Sequence, residues 1–182
     1  SSYQLEAEEA VLLIVDVQEK LMAVMDQPEP LYRNMDILLT AAEALHIPVV
    51  VTEQYPKGLG PTVARVAHRL PPDHRLLEKI AFDAVRDGLD RVLEDLGRRS
   101  VLVCGIESHI CVYQTVRSLL SLDYRVFPVE DAIGARSPLN RSNGLSLMRE
   151  MGARLLTTEG AAFDLLKVAG TPAFKVISKA VK

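Results

Sequence analysis

Apolar positions along this chain follow two alternating rhythms. Short, unbroken apolar runs rich in β-branched residues occupy 11–15 and 49–51, and each predicts a strand buried on both faces. Between them Leu31, Met35, Leu38, Leu39, Ala42 and Leu45 recur at helical spacing, so a helix is expected over 31–45, with Pro48 just past its end. The stretch 53–61, rich in Gly and Pro, reads as a loop. A short helix at 63–70 is stopped by Pro71 and Pro72, and a weak strand follows at 75–79. Helices are predicted over 87–96, closed by Gly97, and over 109–122, 137–151, 159–168 and 172–181; Thr158 is the expected cap of the fourth. Strands are predicted at 101–104, 125–129 and 154–157, which makes six.

Strands alternating with helices predict an α/β fold with a parallel sheet and right-handed crossovers. Ligands of such open sheets bind beyond the carboxyl ends of the strands. Asp16, Glu53, Lys79 and Glu107 all fall at predicted strand ends, so they are expected to share one rim.

Composition narrows the function classes. The chain has 182 residues, read as one domain over 1–182 with room for a sizeable core. Hydrophobic residues make up 48%, which argues against disorder. The formal net charge is -3 without a basic cluster, so nucleic acid is not an expected partner. No apolar run approaches the roughly 20 residues a membrane span needs, so no membrane is expected either. The start is polar and acidic, unlike a signal peptide, and its missing Met suggests a trimmed start or a fragment. Two cysteines, Cys104 mid-strand and Cys111 at a helix start, could be bridged only with backbone distortion. A reducing cytoplasm is the simplest compartment.

Cys111 carries the most chemistry. It follows an apolar strand and Gly105, where a helix should begin. Unpaired N–H groups and the helix dipole there stabilise a thiolate, so its pKa is expected at roughly 3.5–7.5 against about 8.5 for a free thiol. The plain alternative is a small buried apolar residue, which is the reading for Cys104. Asp16 would be the general base, or else a solvated carboxylate after a strand. Lys79 would favour the thiolate and a developing oxyanion, or else sit on the surface. Gln18 could orient a neighbour or face solvent. The four histidines, His46, His68, His74 and His109, show no close ligand spacing, so no metal or other cofactor is expected.

Three segments carry a resemblance: Val15-Asp16-Val17-Gln18, Lys79 to Ala84 with Phe82 inside it, and Gly105 to Val112 with Cys111 inside it. Together, in this order, they are similar to the signature segments of the isochorismatase-like cysteine hydrolases. The loop from Thr52 to Val63 and the Pro172-Ala-Phe174-Lys175 segment resemble the isochorismatase-domain protein branch. The resemblance implies a three-layer α/β/α fold with a six-stranded, mostly parallel sheet and a catalytic set of Asp16, Lys79 and Cys111. It also implies an oxyanion hole from the N–H groups of Cys111 and Glu107, with Ile106–Glu107 as a cis peptide bond. Gln18, Gln54, Tyr55 and Phe82 are the expected pocket residues. Glu107 either pairs with a cation such as Arg136 or His109, or selects substrates. Metal-dependent nicotinamidases of the family carry histidines after the second strand, where this chain has Thr52-Glu53-Gln54-Tyr55. The family's isochorismatases lack the cysteine that this chain keeps. The expectation is therefore a metal-free hydrolase of a small molecule, acting at an amide or related C–N bond and self-associating. The rivals are an interaction protein with a vestigial site and a thiol redox sensor.

Overall fold

The computed structural model describes residues 3–182. Within them, β1 (Ala10–Val15), β2 (Val49–Gln54), β3 (Arg75–Lys79), β4 (Ser100–Ile106) and β5 (Arg125–Gly134) form a parallel sheet ordered β3-β2-β1-β4-β5. The helices are α1 (Glu19–Met22), α2 (Pro28–Leu45), α3 (Pro56–Leu59), α4 (Ala64–Ala67), α5 (Leu89–Leu96), α6 (Tyr113–Ser121), α7 (Pro138–Glu150), α8 (Thr158–Leu166) and α9 (Pro172–Ala180).

Strand pleating sends alternate apolar side chains to opposite faces. On one face Leu12, Ile14, Leu102 and Phe127 meet Met35, Leu38 and Leu39 of α2 and Ala161 and Leu165 of α8. On the other, Val11, Leu13, Val101 and Val103 meet Leu89 and Leu93 of α5, Val116 and Leu119 of α6, and Leu145 and Met148 of α7. The result is three layers, with α9 packed outside α2 and α8 through Ile177.

The sheet has five strands, not six. The segment 154–157 lies beside β5, where the Arg154 N–H donates to Val126 O and the Leu156 N–H to Pro128 O. Pro128 has no N–H to return, so the ladder breaks, and one bridge between Val129 and Leu156 remains. Thr157, not Thr158, caps α8, accepting from the Gly160 N–H; Thr158 instead donates to Asp131. The region predicted as one helix over 109–122 begins as a single wide turn (Ser108–Val112), in which the Val112 N–H reaches back five residues to Glu107 O.

One glycine is demanded by geometry. Gly105 has φ +118°, and a Cβ there would collide with the backbone of Val15 on the neighbouring strand. β1 and β4 therefore approach closely where their chains leave the sheet in opposite directions, the topological switch point where such folds bind ligands.

Candidate active site

Four strands deliver four polar side chains to one rim. Asp16 follows β1, Gln54 ends β2, Lys79 ends β3 and Glu107 follows β4. Asp16 leaves its strand at φ +52°, a left-handed conformation that Asp tolerates better than most residues.

The centre is a buried ion pair. Lys79 Nζ donates to Asp16 Oδ2 at 3.0 Å, and both side chains are fully buried. Nζ also reaches Gln54 Oε1 at 2.6 Å and the carbonyls of Ala81 at 3.2 Å and Phe82 at 3.0 Å. Such saturation of a buried ammonium offsets the cost of desolvating it. The other Asp16 oxygen accepts from the Thr52 hydroxyl at 2.7 Å, and Asp16 N–H donates to the same Thr52 oxygen at 3.2 Å. No feature of Thr52 in the sequence distinguishes it from an ordinary strand threonine.

Cys111 is buried in the wide turn after β4, with its thiol 3.9 Å from Gln54 Oε1. Its pKa is not lowered. Burial pushes the thiol up to about 12, and the Asp16 carboxylate adds to the rise, while Lys79 opposes it. The expectation of an acidic thiol is thus overturned. Cys111 lies within the wide turn instead of opening α6, and the Lys79 charge is already committed to Asp16. Cys104 faces the opposite core and is also pushed up to about 12, by burial alone. Both thiols are free.

The remaining predicted residues divide. Gln54 and Phe82 line a cavity of about 130 Å³ together with Asp16, Cys111, Glu107, Leu21, Leu59, Ile106 and Ile110. Tyr55, half exposed, is not among the lining residues. Gln18 is fully buried and works as a tie. Its Nε2 donates to Gln54 O at 2.8 Å and Gly60 O at 2.9 Å, and its Oε1 accepts from Gln54 N–H at 2.7 Å. Glu53 accepts from both the N–H and the hydroxyl of Thr62 at 2.7 Å, which ties the loop to its strand. Ile106–Glu107 is a cis peptide bond. Of the alternatives for Glu107, it pairs with Arg136: Arg136 Nε lies 3.1 Å from both of its oxygens and the Arg136 N–H 3.0 Å from Oε2. His109 takes no part, and its Nδ1 is buried without a partner.

Among the described residues no three His, Cys, Asp or Glu side chains converge to hold a metal ion. No described helix is long and apolar enough to cross a membrane.

A parallel sheet between helical layers, with polar groups beyond the carboxyl ends of its strands, defines the class as an open, doubly wound α/β protein. The family model "Isochorismatase domain" matches residues 10–160. The secreted isochorismatase effector Isc1 of Phytophthora sojae is 38% identical over 177 residues, covering 95% of this chain and 84% of that protein. The isochorismatase domain-containing protein 2 of Danio rerio is 38% identical over 172 residues, covering 93% and 85%. A solved structure described as the MAR1 ribonuclease of Caenorhabditis elegans superposes with a TM-score of 0.91 at 31% identity, covering 98% and 92%. The chain belongs to the isochorismatase family, in the branch of the isochorismatase domain-containing proteins.

Proposed function

We propose that this protein is a cysteine-dependent hydrolase of a small molecule, acting at an amide or related C–N bond through Cys111. One observation supports this above all. The buried Lys79 binds Asp16 and Gln54 from behind, and those two residues line the same cavity as Cys111. A merely structural lysine gains nothing from being enclosed beside a thiol and a cavity.

In the proposed reaction the resting thiol is neutral, held so by burial and by Asp16. As Cys111 Sγ bonds to the substrate carbonyl carbon, its proton passes to Asp16, acting as general base. The oxyanion is taken by the N–H groups of Cys111 and Glu107. On collapse the C–N bond breaks, and the nitrogen leaves with the proton from Asp16. Water then attacks the thioester, giving one proton to Asp16, which returns it to the sulfur. The acid and the free thiol complete the cycle. Lys79 fixes the Asp16 carboxylate throughout and balances the charge.

An RNA phosphodiester fits less well, whatever the worm structure is named. Phosphates require uncommitted cations. Lys79 is enclosed by four acceptors, and the net charge is -3. Self-association is the partnership proposed, since Val168 and Val176 stay exposed beside and on α9. A cytoplasmic compartment is proposed as well, although the Phytophthora sojae relative is named as secreted.

The test is an ammonia-release assay over a panel of small amides, with intact-mass measurement for a covalent adduct. Turnover should survive exhaustive chelation and vanish in Cys111→Ala. Nicotinamide should be turned over poorly. Unchanged turnover in Cys111→Ala, or turnover lost on chelation, would overturn the reading. No turnover and no adduct across the panel would favour an interaction protein or a thiol sensor.

A further inference from the structure

We infer that the cavity selects short, uncharged aliphatic carboxamides and turns away both carboxylated and cationic ones; this rests on the hydrolase reading above. Three observations lead there: size, wall and the placement of charge.

The cavity offers about 130 Å³ and opens to solvent at its Phe82 rim. An apolar cavity of about 150 Å³ holds one benzene, so the space suits about five or six non-hydrogen atoms. Propionamide and isobutyramide are of that size, and an amide fused to an aromatic ring is larger.

The wall is apolar. Leu21, Leu59, Phe82, Ile106 and Ile110 surround the position next to Cys111, where a substrate's alkyl chain would lie. A charged group placed against these side chains loses its hydration without recompense.

The placement of charge is one-sided. Asp16 and Glu107 line the cavity, whereas their cations, Lys79 and Arg136, do not. A substrate carboxylate would therefore face two carboxylates and no available cation. A substrate ammonium fares little better. Lys79 already neutralises Asp16 and Arg136 already neutralises Glu107, so an added ammonium finds no net negative charge to offset the hydration it loses against the apolar wall. Only an uncharged substrate leaves this arrangement undisturbed. Its amide group meets Cys111 and Gln54, whose side chain already holds the Lys79 ammonium through Oε1 and the Ile80 carbonyl through Nε2.

The experiment has two arms. The first measures kcat/KM for propionamide, isobutyramide, glycinamide, oxamate and hexanamide. The two small neutral amides should exceed glycinamide and oxamate by about a hundredfold. Hexanamide should trail them by about tenfold or more, because its chain outgrows the cavity. The second arm needs no turnover. Rates of Cys111 alkylation by iodoacetamide and iodoacetate are compared with those of free cysteine, and the protein should favour the neutral reagent by about tenfold more than cysteine does. Phe82→Arg places a cation at the half-exposed rim and keeps the backbone carbonyl that Lys79 uses. It should raise oxamate kcat/KM about tenfold and speed labelling by iodoacetate.

Hydrolysis of neutral and charged amides at similar rates, or indifference to reagent charge, overturns the selection and leaves the hydrolase reading standing. Charge-selective labelling with no amide turned over upholds the selection and overturns the hydrolase reading. Neither labelling nor turnover overturns both.

Discussion

Thr52 and Asp16 bind each other twice: the Thr52 hydroxyl donates to Asp16 Oδ1 at 2.7 Å, and the same oxygen accepts the Asp16 N–H at 3.2 Å. The carboxylate is thereby turned so that its second oxygen meets Lys79. Thr52→Val keeps the shape and removes both bonds, leaving a buried acceptor underserved at a cost of about 1–3 kcal/mol. Turnover of a good amide should fall about ten- to a hundredfold in kcat with KM little changed, because Thr52 does not line the cavity. Thr52→Ser should restore most of it. Equal KM and kcat losses, or no rescue by Ser, would show that Thr52 serves packing alone.

The thiol of Cys111 is pushed up to about 12, first by burial and then by Asp16, against the opposing pull of Lys79. Thiolate is the alkylated form, so iodoacetamide labelling of Cys111 should climb steadily from pH 7 to pH 10, where a free thiol of pKa about 8.5 levels off. Asp16→Asn removes a charge that raises the pKa and frees Lys79 to lower it. Labelling at pH 8 should then quicken about tenfold even as turnover is lost. Lys79→Met should slow it, and Cys104 should be unaffected by either change. A plateau near pH 8.5 in the wild type would contradict this picture.

Cys104 makes alkaline stability testable. Its thiol is raised to about 12 in the fold, whereas in the unfolded chain it ionises near 8.5. Between these values the unfolded state binds fewer protons than the native state, so unfolding free energy falls as pH rises. The loss is up to about 1.4 kcal/mol per pH unit for such a thiol, and it is absent below about pH 8.5. Urea unfolding at pH 8 and pH 10 should give a smaller drop for Cys104→Ala than for wild type, although the variant is less stable at both. Identical drops would refute the argument.

Gly105→Ala should be severe. Its Cβ would meet the Val15 backbone, which cannot swing aside as a side chain can, at a φ that side chains rarely adopt. A loss of about 3–5 kcal/mol is expected, measured as a shift in the urea midpoint with m unchanged. Gly97→Ala shares the backbone strain of a positive φ, +68°, but has open space around it, so it should cost only about 1 kcal/mol. Similar losses at the two positions would mean that β1 and β4 are free to part.

The order of strands and helices was legible because β1, β2 and β4 contain apolar runs and α2 carries an apolar stripe, whereas β3, with Arg75, Glu78 and Lys79, was legible only as a weak strand. Asp16, Lys79 and Cys111 stood out as chemical residues at the ends of such runs. What escaped depends on partners far along the chain. The sixth strand fails through Pro128, a residue of its neighbour. Thr52 looks like any strand threonine until Asp16 is placed beside it. Tyr55 seemed a pocket residue by its neighbourhood, but left-handed backbone at φ +36° accompanies its turn outward. The thiol was read from a helix start; the actual determinant is burial next to a carboxylate already paired, which only packing reveals.

Along the rim the polar residues run Lys79, Gln54, Asp16, Glu107, so the first three appear in reverse of the order in which the chain is made. Asp16 emerges from the ribosome 63 residues ahead of the lysine that will neutralise it. Its partner strand β4 comes later still. No contiguous fragment ending before Cys111 contains the whole site, and such non-local pairing is slow to form. The chemistry proposed for Cys111 thus requires that strands from both halves of the sheet have met, and a nascent or truncated chain carries a carboxylate and a lysine but not the proposed site.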